Sequence, residues 1–481
     1  MKSFRMFVIG LCCISGMTAF LASCEGNGPD PDPQPTPLDG SSIMLPNQAG
    51  ASVSIDLEMD AAWQVSNSNM WFSVYPLSGT AGPVTITVTA QQGNPDLVEK
   101  VASFSITSGG TQEMYYVVQD VTPGFNLQEV YYISGVEQEY QFVFQANTGD
   151  VEVSADVDWI TVGEVTATDS TELDGGTVSK YKTYTASLSV PRNSGGIREG
   201  VITLNGADGT SATVPVAQVE PMDVDYASAF IRRSLVIRFT ATWCGWCPCM
   251  NLALHDAAEE YPDHIVPMNM FSGSGSLDFE DMSDFETWYK IQGYPTGIMN
   301  SYADVGNSQT TSATQAAFVG VAKEAVAKLP ANTNIGGYAK VSGDRLQVVA
   351  NIASKTGGEY FVSAFILEDG IIAEQADYAG VIEDPENYEH NSVVRTLLTD
   401  TKGDPVTLTG ECITPVVFEL DIPAAVADKD NIHVVIYTSY LGTYDGEFDN
   451  GLVVYKDFEY VVDNVVDFPA DGSVVEFSYE N

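Results

Sequence analysis

The chain has 481 residues, room for about three to four domains at roughly 150 residues each, and its 44% hydrophobic and 10% aromatic content rules out a disordered polymer. With 20 basic against 65 acidic residues the net charge is −45. That balance excludes a nucleic-acid footprint and attraction to anionic lipid headgroups. The seven cysteines are Cys12, Cys13, Cys24, Cys244, Cys247, Cys249 and Cys412. They cluster instead of spreading, so packed cores and not a disulfide framework must supply the stability.

Lys2 and Arg5 precede an apolar run over 6–21, too short for a membrane span, and the run ends in Leu21-Ala22-Ser23-Cys24. This resembles the lipobox of bacterial lipoproteins, which implies a signal peptide over 1–23 and a lipid on Cys24. Alternate prolines at Pro29, Pro31, Pro33, Pro35 and Pro37 favour a polyproline II stalk. It would extend about 28 Å over 29–37 at ~3.1 Å per residue. Residues 24–39 therefore read as a stiff acidic tether. Glu25, and not Asp, follows Cys24; the lipoprotein resemblance then implies an outer-membrane, lipid-anchored location, with the cell surface compatible.

From 40 to 220 short period-two segments alternate with Gly, Asn and Pro, as at 84–89 and 186–190. A faint repeat runs through them. Trp71-Phe72-Ser73-Val74 matches Trp159-Ile160-Thr161-Val162, Val117-Val118-Gln119 matches Val216-Ala217-Gln218, and Asn94 with Lys100 echoes Asn193 with Arg198. Two tandem β-sandwiches over 40–120 and 121–220 are the physical reading. The landmarks resemble BACON domains, immunoglobulin-like modules of Bacteroidetes proteins. The first copy matches better, because the second carries an acidic insertion near 169–176. Glycan binding, proposed for that family, would use Trp63, Trp71 and Trp159 as stacking platforms. The plainer reading makes these tryptophans sandwich core and both modules spacers.

An apolar strand over 235–240 runs into Ala241-Thr242-Trp243-Cys244-Gly245-Trp246-Cys247-Pro248. A helix follows, with Met250, Leu254, Ala257, Ala258 and Tyr261 on one face and a polar line Asn251, His255, Glu259 on the other, so that His255 reads as a solvated helix residue and not a ligand. Strand, Cys-x-x-Cys and helix in that order form a redox site. Cys244 lies where unpaired N–H groups and the helix dipole stabilise a thiolate, and Cys247 can resolve a mixed disulfide. The stretch resembles thioredoxin-like domains, and Gly293-Tyr294-Pro295-Thr296 looks like their cis-proline loop. That resemblance implies catalytic Cys244 and Cys247, with Trp243, Tyr294 and Pro295 docking an extended substrate. Thioredoxins often place a buried acid where Arg238 stands. If the guanidinium reaches the sulfurs it tunes their pKa, and if it points to solvent it does nothing. Active dithiol, static disulfide and soft-metal site all stand as readings. No second Cys or His pair completes a tetrahedral metal set, and no cofactor is expected.

A helix with Phe318, Val321, Ala322, Ala325 and Leu329 on one face closes the thioredoxin-like domain, assigned to 221–333. From 334 to 481 alternation returns, as in Leu346, Val348, Ala350 and Ile352, and a C-terminal β-sandwich is expected. Residues 445–451 read as an acidic turn and not a calcium loop. The order of thioredoxin-like domain and β-sandwich, with Tyr388-Glu389-His390-Asn391-Ser392-Val393-Val394-Arg395 between strands, resembles the Bacteroidetes outer membrane protein twenty-eight family over 222–481. The fold class is thus multidomain and mostly β: two immunoglobulin-like sandwiches, an α/β thioredoxin-like domain and a terminal sandwich. The expected function is thiol–disulfide exchange on envelope or surface proteins. The rival is a non-enzymatic adhesion or glycan-binding lipoprotein.

Overall fold

The computed structural model describes residues 11–12 and 42–480, except 96–98, 169–171, 174–176, 179–181 and 309. Cys24, the tether 24–39 and the leader apart from 11–12 lie outside the described residues, as does most of the acidic insertion. The chain is multidomain and mostly β. No helix among the described residues is long and apolar enough to cross a membrane.

Each of the first two modules closes a core between two sheets. In the first, Ser42–Leu45 enters parallel to Thr111–Gln119, and that sheet faces Ser52–Met59, Gly82–Ala90 and Phe72–Tyr75 across Ile86, Val88 and Phe104. In the second, Tyr131–Ile133 enters parallel to Ser211–Gln218 in the same way. The repeated polar residues mark equivalent pins. Asn94 Nδ2 donates to Asp120 O at 3.1 Å and Asn193 Nδ2 to Val219 O at 2.9 Å. Gln119 and Gln218 are fully buried and tie neighbouring loop carbonyls. Buried polar groups persist only when so paired, which explains why these residue types recur at these places.

The second half is built differently. One ten-stranded sheet runs Val453–Tyr455, Ala303–Val305, Thr296–Met299, Ser234–Thr240, Ile265–Phe271, Val393–Leu397, Gly358–Glu368, Ile432–Leu441, Tyr460–Pro469, with Asp404–Leu408 paired to Gly358–Glu368. It crosses the boundary expected at 333/334 twice. Val393–Leu397 extends one edge of the thioredoxin strands and Val453–Tyr455 caps the other. Both edges are thereby covered, which removes rows of unpaired backbone groups. The C-terminal sandwich is present, but one of its two sheets is the thioredoxin sheet continued. The other is Thr333–Ser342, Arg345–Ser354 and Cys412–Asp421, packed through Val348, Ile352, Val416 and Ile436.

Helices α1 (Cys247–Glu260) and α3 (Thr311–Lys328) cover one face of the thioredoxin strands, through Met250, Leu254, Phe318 and Val321. Helix α2 (Met282–Trp288) covers the other, against Phe365, Leu397, Val435 and Tyr437 from beyond residue 334. The second module also docks here. Tyr132, Ala217 and Val219 pack on Val349 and Val417.

Candidate functional site

The strand Ser234–Thr240 is buried at every position, so it fixes where its C-terminal end delivers the cysteine loop. Helix α1 starts at Cys247 with Pro248 in its first turn, a position where the missing proline N–H costs nothing. Cys244 and Cys247 form a disulfide, with Cα atoms 5.4 Å apart. Cys244 is 6% exposed and Cys247 wholly buried. No acidic side chain stands in the first turn of α1, so nothing there offsets the positive end of the helix dipole.

The Tyr294–Pro295 peptide bond is cis. Tyr294 packs against Ala241, Cys244 and Cys247, and its ring lies 5.7 Å from that of Trp243. The Tyr294 hydroxyl donates to the Glu286 carboxylate; burial first, and then that acid, push its pKa up to about 12. Trp243 is 58% exposed and donates its indole N–H to Ser272 O at 3.3 Å. The Ser274 hydroxyl accepts from Thr242 N at 2.9 Å. The sequence-expected residues Trp243, Cys244, Cys247, Tyr294 and Pro295 are thus brought to one place.

Arg238 meets neither simple expectation, since its head faces neither solvent nor, by any hydrogen bond, the sulfurs. It is buried beneath the head of α1, donating from Nε to Asn269 Oδ1 at 2.7 Å and from Nη1 to Cys247 O at 3.3 Å. Burial lowers its pKa to about 10, so it stays charged at neutral pH. His390, buried nearby, is pushed down to about 4 by burial and then by Arg238. Its Nε2 has no hydrogen-bond partner.

Sequence reasoning missed a second wall. Gln375 is 3% exposed, and its Nε2 lies 3.1 Å from both Thr242 O and Cys244 O. Ala376 N donates to Thr242 O at 2.8 Å and Tyr378 N to Gly245 O at 2.7 Å. The Tyr378 ring meets Trp246 edge-on at 6.1 Å. No motif marks Gln375, which sits in a loop more than a hundred residues from the cysteines. Only the sheet that joins the two parts brings it there.

Other candidates fall into place around this site. Cys249 is a free, buried thiol, and Cys412 is buried in the core of the second module. His255 is solvated, with Asp256 and Glu259 close by on the outer face of α1. Residues 445–451 are pinned onto α3 by Glu324, whose carboxylate accepts from Glu447 N, Phe448 N and Tyr455 Oη. Burial opposes its charge, but these bonds outweigh it and lower its pKa to about 2. Of the tryptophans considered as stacking platforms, Trp63 is buried core, Trp71 packs edge-on against Phe72, and Trp159 is covered by the Arg198 guanidinium at 4.5 Å.

Three family models match the chain. Residues 220–324 match the thioredoxin model, and 282–440 match outer membrane protein Omp28. Residues 143–218 match BACON, described as a putative binding domain, N-terminal. That last match falls on the second module, although the first was expected to be the better copy. The Omp28 match begins in α2 and runs across residues 333/334, a boundary that the continuous sheet also spans. No curated protein matches. Among solved structures, HBP35 of Porphyromonas gingivalis is 15% identical, covering 53% of this chain and 81% of its own, with a TM-score of 0.40. A structural-genomics protein of Agrobacterium tumefaciens is 12% identical, covering 51% and 97%, with a TM-score of 0.33. A tandem of titin immunoglobulin domains is 12% identical over 37% of this chain and 93% of its own, with a TM-score of 0.22.

Proposed function

We propose, for a chain that joins an Omp28 region to a thioredoxin domain behind a BACON module, that it is an outer-membrane lipoprotein exchanging disulfides with envelope or surface proteins. The observation that carries this reading is the Cys244–Cys247 pair at the head of α1, facing the cis Tyr294–Pro295 bond. In the exchange, a partner thiolate attacks Cys244 Sγ and displaces Cys247 as a thiolate. The partner's second thiol, deprotonated, then attacks the mixed disulfide and frees Cys244. Two electrons and two protons pass from the partner dithiol to the pair, and the partner leaves oxidised; run backwards, the same steps reduce a partner. Trp243, Tyr294 and Pro295 form the side on which an extended partner backbone docks. Arg238 holds a positive charge under Cys247, which favours a thiolate leaving group and an oxidising poise. Lipid on Cys24 supplies the anchor and the Pro/Asp-rich segment the reach.

The test is a trap. Cys247→Ala, with its resolving thiol gone, accumulates mixed disulfides with envelope proteins on a non-reducing gel, and Cys244→Ala accumulates none. In a Cys24→Ala background the trapped species leave the membrane fraction or carry an unprocessed leader. A reduced, alkylatable Cys244 that traps nothing would refute the exchange reading and favour the non-enzymatic rival. Fully processed, membrane-bound Cys24→Ala would refute the anchor.

A further inference from the structure

Strands Ile371–Ala373 and Tyr388–His390 pair as a hairpin, Ile371 opposite His390, and carry the loop 374–387. That loop lies along the cysteine loop. Its backbone donates from Ala376 N to Thr242 O and from Tyr378 N to Gly245 O, the kind of main-chain pairing an incoming peptide would otherwise make. Gln375, buried, adds its side-chain amide to the carbonyls of Thr242 and Cys244. The Tyr378 ring rests on Gly245 so closely that a Cβ there would come within 2.4 Å of it. A glycine between the two cysteines is what admits the ring.

The opposite side is open. Trp243 is 58% exposed beside Tyr294, while Cys244 itself is only 6% exposed. The covering segment is held to the cysteine loop by hydrogen bonds and the Tyr378 ring and not by buried apolar side chains, since within 374–380 only Gln375 is buried. It also has a firm turn of its own: Asp377 accepts from Ala379 N, Gly380 N and Ile382 N. Tyr378 is 70% exposed on its outer side. A unit with its own turn and few buried apolar contacts to its surroundings opens locally without unfolding its neighbours.

We propose that residues 375–378 are a built-in strap over the Gly245–Trp246 side of the disulfide, which confines attack on Cys244 to the Trp243 and cis-proline side and slows it until the strap lifts. This rests on the reading of Cys244 as the attacked sulfur. The strap is a gate and not a redox tuner, so it scales the rates of reduction and reoxidation together and leaves their ratio alone.

The test uses the full chain in detergent, with dithiothreitol as the probe and maleimide mass-tagging of Cys244 and Cys247 as the readout. Tyr378→Ala, which removes a largely solvated side chain, is the variant safest for the fold; Gln375→Ala is the second. Each is expected to speed reduction several-fold, and the pair together by about tenfold or more, as expected for a local opening equilibrium. The reduction potential is expected to stay at the wild-type value. Unchanged rates in Tyr378→Ala with a wild-type circular dichroism spectrum would overturn the strap, and so would a shifted potential with an unchanged reoxidation rate. Accelerated reduction in the strap variants, with no partner ever trapped by Cys247→Ala, would support the strap and refute exchange with envelope proteins. Trapping with unchanged strap rates would do the reverse.

Discussion

The two halves of this molecule solve the same problem in different ways. Residues 42–219 form two modules whose strands close their own cores, and the pins that recur in both, Asn94 and Asn193, Gln119 and Gln218, fasten turns within the same module. Residues 222–480 weave two parts into one sheet, and buried polar groups there reach across the weave. Asn269, which holds Arg238 under the cysteine loop, donates its own amide to Asn391 O at 2.7 Å. A module of the first kind draws nearly all of its core from its own strands. In the second half the cysteine site has no complete wall until the last third of the chain has folded.

The largest expected effect follows from that contrast. A chain ending at residue 333 loses Phe365, Leu397, Val435, Tyr437, Val462 and Val465 from the core over α2, together with both covering edge strands. Burial of one such side chain contributes about 1.5–3 kcal/mol, against about 5–15 kcal/mol for a whole domain. The fragment 221–333 should show no cooperative thermal transition. Deleting 1–221 instead re-exposes the seam at Val349, Val417 and Cys412, and should lower the midpoint while keeping the transition cooperative and the Cys244–Cys247 disulfide reducible. A cooperative melt of 221–333 would erase the distinction between the halves.

A middle-sized effect is expected from Arg238→Met. Removing a buried charge beneath Cys247 should raise the thiol pKa of the reduced pair by about one unit, ~1.4 kcal/mol, and make the potential more negative by ~30 mV. Rates of iodoacetamide alkylation against pH and glutathione equilibria measure the two. Asn193→Ala, which cuts buried hydrogen bonds of a module, is expected to cost stability and leave the potential untouched. An unaltered titration in Arg238→Met would remove this residue from the chemistry.

The woven half also predicts a pH dependence of stability. His433 sits between Asp467 at 2.7 Å and Asp369 at 3.4 Å. Burial opposes its charge, but the two carboxylates outweigh it and raise its pKa to about 10. With a folded value above the unfolded ~6.5, its stabilisation is complete below about pH 6.5 and is lost as pH rises toward 10. Wild type should therefore lose stability relative to His433→Gln between those limits in urea titrations. A difference that is flat with pH would show that His433 is not charged in the fold.

Part of this was written in local chemistry. Strand, Cys-x-x-Cys, helix and the Gly293-Tyr294-Pro295-Thr296 loop were legible because each is a short pattern whose geometry depends on its own neighbours. So was the repeat of Asn, Gln and a basic residue in the modules, since identical turns need identical pins. The exposure of His255 and Glu259 was legible for the same reason, as a 3.6-residue period leaves one face in water, whereas Asn251 on the same line is half-buried and donates to Tyr388 Oη.

What the sequence could not fix is everything that depends on which distant strand fills a sheet edge. Alternation at 346–352 announces a strand, but strand pairing is non-directional at that level and says nothing about a partner. The sharing of one sheet across residue 333, the burial of Arg238 instead of its exposure, and the arrival of Gln375 and Tyr378 over the cysteine loop all follow from the placing of Val393–Leu397 beside Ile265–Phe271. Periodicity determined the elements, and the cysteine motif determined where the candidate site sits. The second wall of that site was decided by tertiary pairing, because an unpaired edge is costly and its nearest available cover lay over a hundred residues down the chain.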